Sequence, residues 1–536
     1  MTNGVIAGGS QETIIAGAEM LRQGGNAVDA AVAATFAACI AEVGLVHMGG
    51  SGIAQVYDAS NGRSTVYDFF SNMPGLGATS RPDALNFEQV TIDFGGATQD
   101  FFLGRASFAV PGNFFGLCQM AADYGRLPLP TLLQPALRLA REGTPLEPFQ
   151  AQTCELLSPL YTHTAEMRGI FQQNGRLIQP HETVFIPHLA DTLAQLAEEG
   201  EGLIRNGRLA QAILRDQRAN GGLLTPTDLA SYQVIQVPPL RIPYQGYEIL
   251  LPPPSSTGGV LTAFTLKLMD RFHVSQHRHG STPHLQILYE LMTATSRARP
   301  SWDDAIEACG TQAEWETAVS TFLADSHIDQ YQAEIEANIR QNRPAPPASE
   351  PPGPSNTTHL SVIDGDGLMV SLTHTAGESA GYVVPGTGFI PNNILGEADL
   401  HPQGFHVRPP GRRIPTMMTP TVILKDGSPR LVVGSGGSIR IRSAILQTIS
   451  NLLDFAMPLE TAVNAPRVHV DNYGVLQCEA GFDEVAVYQL ANIGYPINRW
   501  NTRSIYFGGA HSVAREENGR LVGTGDTRRG GAAVLV

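Results

Sequence analysis

Hydrophobic positions along the 536-residue chain change their period several times, and each change predicts an element. Glu12 to Gln23 and Ala27 to Ala41 carry apolar residues at helical spacing, hinged at Gly24-Gly25-Asn26. The alanine-rich second stretch predicts a helix packed closely inside a core. From Gly50 the period shortens, predicting strands at Ile53 to Tyr57 and Ser64 to Phe69. A helical middle follows over 113–215, broken at Pro111-Gly112 and Pro128-Leu129-Pro130, and a long helical stretch covers 281–342. The proline-rich run 343–356 has no period and no core formers, which predicts an exposed, mobile tail or linker.

The character then changes at once. Thr357 to Ile363 alternates like a half-buried strand, Asp364-Gly365-Asp366-Gly367 is a turn, and Leu368 to Thr375 is a second strand. Paired across that turn, Thr357 falls opposite Thr375, with Cβ atoms about 4.5–5.5 Å apart. Such threonine pairs are ordinarily sheet stabilisers, and a bulge breaks the register. Further on, Arg430 to Ser438 reads as a strand entering Gly434-Ser435-Gly436-Gly437-Ser438, followed by a helix over Ile439 to Phe455. A glycine-rich turn at a helix start presents N–H groups to an anion or a developing oxyanion. No GK[ST] follows and GxGxxG spacing is absent, which excludes the common nucleotide loops.

Composition narrows the function classes. The chain is 42% hydrophobic, which excludes a disordered protein, and only 16% charged, against roughly 25% in typical domains. A net charge of −15 argues against wrapping nucleic acid or an anionic membrane. Cys39, Cys118, Cys154, Cys309 and Cys478 lack any CxxC spacing and read as reduced thiols, without structural zinc. Met1 to Glu12 has neither part of a signal peptide, and Ala30 to Ala41 is too short to cross a bilayer. These features predict a soluble, cytoplasmic protein.

The hairpin and the glycine loop together point to an amidohydrolase of the N-terminal nucleophile type. A threonine hydroxyl attacks an amide carbonyl, and the threonine's own α-amine, freed by a cut before it, acts as base. A tether ending at Asn356 offers the place for that cut, and Gly436 and Gly437 offer the oxyanion N–H groups.

The chain also resembles the γ-glutamyltranspeptidase (glutathione hydrolase) family nearly end to end. The matching stretches include Gly24 to Ala33, Ala109-Val110-Pro111-Gly112, Tyr124 to Pro128, Asp228 to Tyr232, Tyr244 to Glu248 and Pro252 to Gly259. They continue with Thr357 to Val362, Gly386-Thr387-Gly388 with Asn392-Asn393, Gly434 to Ser438, and Asp526 to Ala533. The resemblance implies an α/β (α+β) fold, a four-layered αββα sandwich, in one intertwined domain. It implies self-cleavage between Asn356 and Thr357 into a large region, 1–356, and a small region, 357–536, that stay assembled, and no metal or cofactor. Thr357 is then the nucleophile, Thr375 its hydrogen-bonding partner, Gly436 and Gly437 the oxyanion hole, and Thr416, Glu397 and Asn393 substrate-binding positions.

The substrate-reading positions depart from the family. The segment that carries a carboxylate-binding arginine there reads Asp68-Phe69-Phe70-Ser71, and the paired serines match Thr416-Met417. The asparagine after the second threonine is Gly377, and the paired aspartates align with Gly396-Glu397. Losing a bidentate arginine clamp weakens γ-glutamyl binding. Arg412, Arg413, Arg440 and Arg442 are substitute cations, or else surface charges or tail partners.

Two substrate readings therefore stand: a γ-glutamyl amide, or a different small amide as in oxamate- and cephalosporin-acylase-like relatives. Partners are that amide, the chain's own cleaved half and, if the protein assembles, further copies of itself. An unprocessed, non-catalytic scaffold is the competing class, and a serine mechanism through Ser255 or Ser256 another. His47, His359 and the Asp364–Gly367 turn are expected to be structural.

Overall fold

A computed structural model of the protein describes residues 3–80, 82–93, 98–348 and 356–536. In chain order the strands that carry the site are β1 (Gly4–Gly8), β2 (Ser51–Asp58), β3 (Arg63–Phe69), β4 (Ile235–Val237), β5 (Leu240–Tyr244) and β6 (Tyr247–Leu251). Beyond residue 356 follow β7 (Thr358–Asp364), β8 (Leu368–Thr375), β9 (Thr421–Lys425), β10 (Ser428–Gly436), β11 (Gly509–Arg515), β12 (Leu521–Thr524) and β13 (Ala532–Leu535). They form a seven-stranded sheet, β4-β3-β2-β8-β7-β1-β13, and a six-stranded sheet, β5-β6-β9-β10-β11-β12. Both contain strands from either side of residue 356.

Helices α1 (Gln11–Arg22) and α2 (Ala27–Ala41) cover the first sheet. Helices α3 (Thr257–Arg271), α4 (Thr282–Glu307) and α5 (Arg440–Leu453) lie on the other side, α3 and α5 directly on the second sheet. All of α2 is buried, and its small side chains let it approach sheet and helices together. Asn26 and Asp29 close a reciprocal box at its start, satisfying N–H groups that burial would leave stranded. The layer order is helix, sheet, sheet, helix.

The β7–β8 hairpin has the expected register, running from Thr358 opposite His374 to Ile363 opposite Met369. The strand begins at Thr358, so Thr357 stands just before the ladder. The expected half-buried strand is instead buried on both faces. Leu360, Val362, Val370 and Leu372 join the core under α1 and α2, while Ile363 and Met369 point between the sheets. On that inner face the polar residues bond across the gap: Ser361 Oγ donates to His511 O at 2.9 Å and Ser371 Oγ to Val433 O at 3.2 Å. Polar alternation here marks the second sheet, not solvent.

The proline-rich run also departs from expectation at its start. Ala345 is buried, and its N–H reaches Glu290 Oε1 on α4 at 3.4 Å. The rest of that run, 349–355, lies outside the described residues.

Candidate active site

Asn356 and Thr357 are both buried, 7% and 2% exposed, where the two sheets meet. The Thr375 hydroxyl donates to the Asn356 carbonyl at 2.5 Å and accepts from the Gly377 N–H at 3.0 Å. Its proton is therefore aimed at the carbonyl of the bond preceding Thr357. Thr375 was expected as the hydrogen-bonding partner of Thr357; in the uncut chain its hydroxyl donates to the amide oxygen just before that residue. Asn356 is held twice more: its N–H donates to Glu378 Oε1 at 3.0 Å and its Nδ2 to Gly44 O at 2.8 Å.

The glycine loop comes to the same place. A Cβ built on Gly436 would lie 2.0 Å from the Thr357 carbonyl oxygen, so only glycine permits this approach. Gly437 has φ +123°, a conformation that a side chain strains. The loop enters α5, and Ser438 Oγ donates to Asp399 Oδ2 at 2.8 Å.

Arg529 was not singled out by the sequence. Its Nη1 donates to the Thr357 carbonyl at 3.2 Å. Burial and the neighbouring Arg440 lower its pKa to about 10, so it remains a cation at neutral pH. Its segment is clamped by Asp526, which pairs with Arg467 at 2.7 Å and Arg528 at 3.1 Å. Burial works to raise the Asp526 pKa, but the two arginines hold it down at about 2. Glu378 is the opposite case. Burial pushes its pKa well above the usual carboxylate range, against the opposing pull of the Asn356 N–H and Arg529. Nothing in the spacing Asp526 to Gly531 announces that Arg529 reaches Thr357, although that stretch carries the family resemblance. Glu378 was findable, three residues beyond Thr375 at the end of the hairpin.

The positions expected to read substrate are closed over. Phe70 is fully buried in a cluster with Met73, Ile414, Met417 and Met418. Its carbonyl accepts from Arg413 Nη1 and from Tyr232 OH. A Cβ on Gly377 would lie 2.1 Å from Glu397 Oε1 and 2.2 Å from Asn393 Oδ1, so those two side chains fill the space of the missing asparagine. A Cβ on Gly396 would lie 2.1 Å from Phe102 O, which leaves no room for an aspartate. Asn393 Oδ1 accepts the Glu378 N–H at 2.7 Å and so holds the loop after Thr375. Thr416 Oγ1 accepts the Met418 N–H at 3.2 Å; its residue lines a small cavity of about 20 Å³ with Met417, Asp399, Arg299 and Arg408. Thus Thr357, Thr375, Gly436, Gly437, Asn393 and Glu397 gather round one point, while Thr416 belongs to the adjoining cavity.

None of the four candidate cations is a surface charge. Arg413 also bonds Tyr232 OH at 2.6 Å and pairs with Asp68 at 3.6 Å, on the back of Phe70. Arg412 Nη2 donates to the carbonyls of Ile306, Glu307 and Cys309, tying down the end of α4. Arg440 lies over the Tyr506 ring, and Arg442 is buried on α5.

The remaining candidates take structural places. His359 bonds Thr373 Oγ1 at 2.8 Å and Ser361 Oγ at 2.9 Å, and burial drives its pKa far below the usual value. Burial likewise lowers His47 to about 3. Ser255 Oγ donates to Asp68 Oδ2 at 2.9 Å, and Ser256 Oγ caps α3 by accepting the Gly259 N–H at 2.8 Å. Asp364 Oδ1 accepts from Asp366 and Leu368 N–H while Oδ2 accepts the Ala27 N–H, so the turn uses its carboxylate internally. All five cysteines are free thiols. Among the described residues no group of three or more His, Cys, Asp or Glu could hold a metal, and no helix is long and apolar enough to cross a membrane.

Two facing sheets between helical layers, with a threonine leading a central strand, define the architecture of an N-terminal nucleophile hydrolase. The family model for gamma-glutamyltranspeptidase matches residues 14–536, and the chain belongs to that family. It is 31% identical to the acylase ACY 1 proenzyme of Pseudomonas sp. (strain SE83), over 97% of this chain and 91% of that one. It is 30% identical to the glutathione hydrolase proenzyme of Bacillus subtilis (strain 168), over 97% and 89%. In fold it matches a cephalosporin acylase from Bacillus halodurans with TM-score 0.81 at 24% identity, covering 99% of this chain and 96% of that one. The protein is accordingly an enzyme of the hydrolase and acyltransferase kind.

Proposed function

We propose that the chain cuts its own Asn356–Thr357 bond and then hydrolyses small amides through Thr357, with acylase rather than glutathione-hydrolase selectivity. The observation that carries this reading is the Thr375 hydroxyl on the Asn356 carbonyl, 2.5 Å away, beside the Gly436–Gly437 loop. In turnover the freed α-amine takes the Thr357 hydroxyl proton as Oγ attacks the substrate carbonyl. The oxyanion lies against the Gly436 and Gly437 N–H groups, and the amine passes the proton to the departing nitrogen. Water, deprotonated by the same amine, then cleaves the ester and releases the acid.

The acylase reading is supported by Phe70, Met417, Gly377 and Gly396, where charge and reach have been replaced by packed apolar or small residues. A γ-glutamyl donor is the second reading, favoured by the likeness to a glutathione hydrolase proenzyme. Denaturing electrophoresis with mass spectrometry tests the first step: two fragments are expected, one ending at Asn356 and one beginning at Thr357. Thr357→Ala should leave one band and lower amide turnover by at least about 10³-fold. Ready turnover of γ-glutamyl-p-nitroanilide, ahead of other acyl anilides, would reverse the choice of donor.

A further inference from the structure

The three contacts on Asn356 bear on more than maturation. Resting on the self-cleavage proposed above, Thr357 Oγ attacks the Asn356 carbonyl carbon. The new C–O bond replaces the C–N bond to Thr357, whose nitrogen gains the hydroxyl proton. Asn356 is then an acyl group on Thr357 Oγ, until water splits the ester into a carboxylic acid and the free hydroxyl. A substrate amide forms the same bond to the same oxygen. Asn356 is therefore the first acyl group the site holds, and what grips it marks the acyl subsite.

One of those grips is chemically selective. Glu378 is 1% exposed, and its Oε1 accepts the Asn356 N–H at 3.0 Å. Its Oε2 has no hydrogen-bond partner among the described residues. Its backbone N–H is held by Asn393 Oδ1 at 2.7 Å. Departure leaves a buried acceptor without its donor, which an incoming N–H restores. Burial raises the pKa of this carboxyl well above its usual value, with Asp399 acting alongside and the Asn356 N–H, Arg529 and Arg440 opposing.

We propose that Glu378 reads the α-nitrogen of the acyl group, in self-cleavage that of Asn356 and in turnover that of the substrate. The preferred donors are N-acyl-α-aminoacyl amides, whose N–H lies two bonds from the reacting carbonyl. In a γ-glutamyl amide the nitrogen is four bonds away and cannot reach Oε1 from the same carbonyl position.

The test is a matched pair of anilides on the wild-type enzyme: N-acetyl-L-asparagine p-nitroanilide and succinamic acid p-nitroanilide, which differ only by the α-acetamido group. The acetamido compound should lead in kcat/KM by about 10-fold or more, and should lead γ-glutamyl-p-nitroanilide too. Glu378→Ala should erase the gap, mainly through KM, and slow self-cleavage by about 10-fold. Glu378→Gln keeps an accepting oxygen and should retain most of the gap, so it serves if the alanine variant fails to mature. Equal rates within the pair, a γ-glutamyl lead, or one uniform loss for all substrates in Glu378→Gln overturns the inference. Wild-type protein that neither cleaves itself nor turns over any amide defeats the functional reading itself.

Discussion

Two halves of one site have been treated differently in this chain. Around Asn356 and Thr357 the groups are polar, bonded and closely set: Thr375 on the carbonyl, Gly377 on Thr375, Arg529 and Gly436 on Thr357. Phe70 and Met417, which align with an arginine and a serine of the family's reading set, are part of a packed apolar cluster. On the proposed function, the difference teaches that bond-breaking and substrate-reading are separable. The first needs a few atoms at fixed distances, whereas the second is a cavity whose lining can be exchanged while the chemistry survives.

The sharpest break of this contrast is Gly436→Ala. Its Cβ would press on the Thr357 carbonyl at 2.0 Å, and single-turnover acylation should fall by about 10²–10³-fold with the fold retained by circular dichroism. Next comes the reading half, where restoring the family residue should not restore the family substrate. Gly377→Asn collides with Glu397 and Asn393, so it should cost about 1–3 kcal/mol in denaturant unfolding and leave γ-glutamyl turnover no higher. A rise in that turnover would mean that the two halves are coupled after all.

Acid should also act on the fold. Burial lowers His374, the neighbour of Thr375, to about 3, whereas an unfolded histidine titrates near 6.5. A depressed folded pKa contributes stability above pH 6.5 that is lost as pH falls toward 3, because the unfolded chain takes the proton first. Tm should therefore drop below about pH 6.5, and His374→Leu should make that drop shallower. The smallest effect separates the threonine from the serines. Ser255→Ala loses one hydrogen bond to Asp68, about 1 kcal/mol, and should change kcat by less than about 2-fold.

Much of the bond-breaking half was legible in the sequence because it is local. A period of two and a four-residue turn define every partner in the β7–β8 hairpin, and the glycine run names the loop proposed to hold the oxyanion. The sequence could not say that the polar face of β7 meets carbonyls of a second sheet, since alternation separates two faces without naming what each one meets. Arg529 was illegible for a related reason: 172 residues separate it from Thr357, and only the folded β11–β13 region brings it back. For Phe70 the loss of charge was readable, and for Met417 the loss of a hydroxyl, but not that Arg413 would be drawn behind Phe70 by Asp68 and Tyr232.

The place of β1 has a consequence in time. Residues 4–8 lie between residues 358–364 on one side and 532–535 on the other. A ribosome delivers both neighbours hundreds of residues after the first strand. The first sheet therefore cannot close, nor Arg529 reach the Thr357 carbonyl, until residues 529–535 have emerged. Both sheets draw strands from either side of residue 356, so a chain cut there would be laced together before the cut.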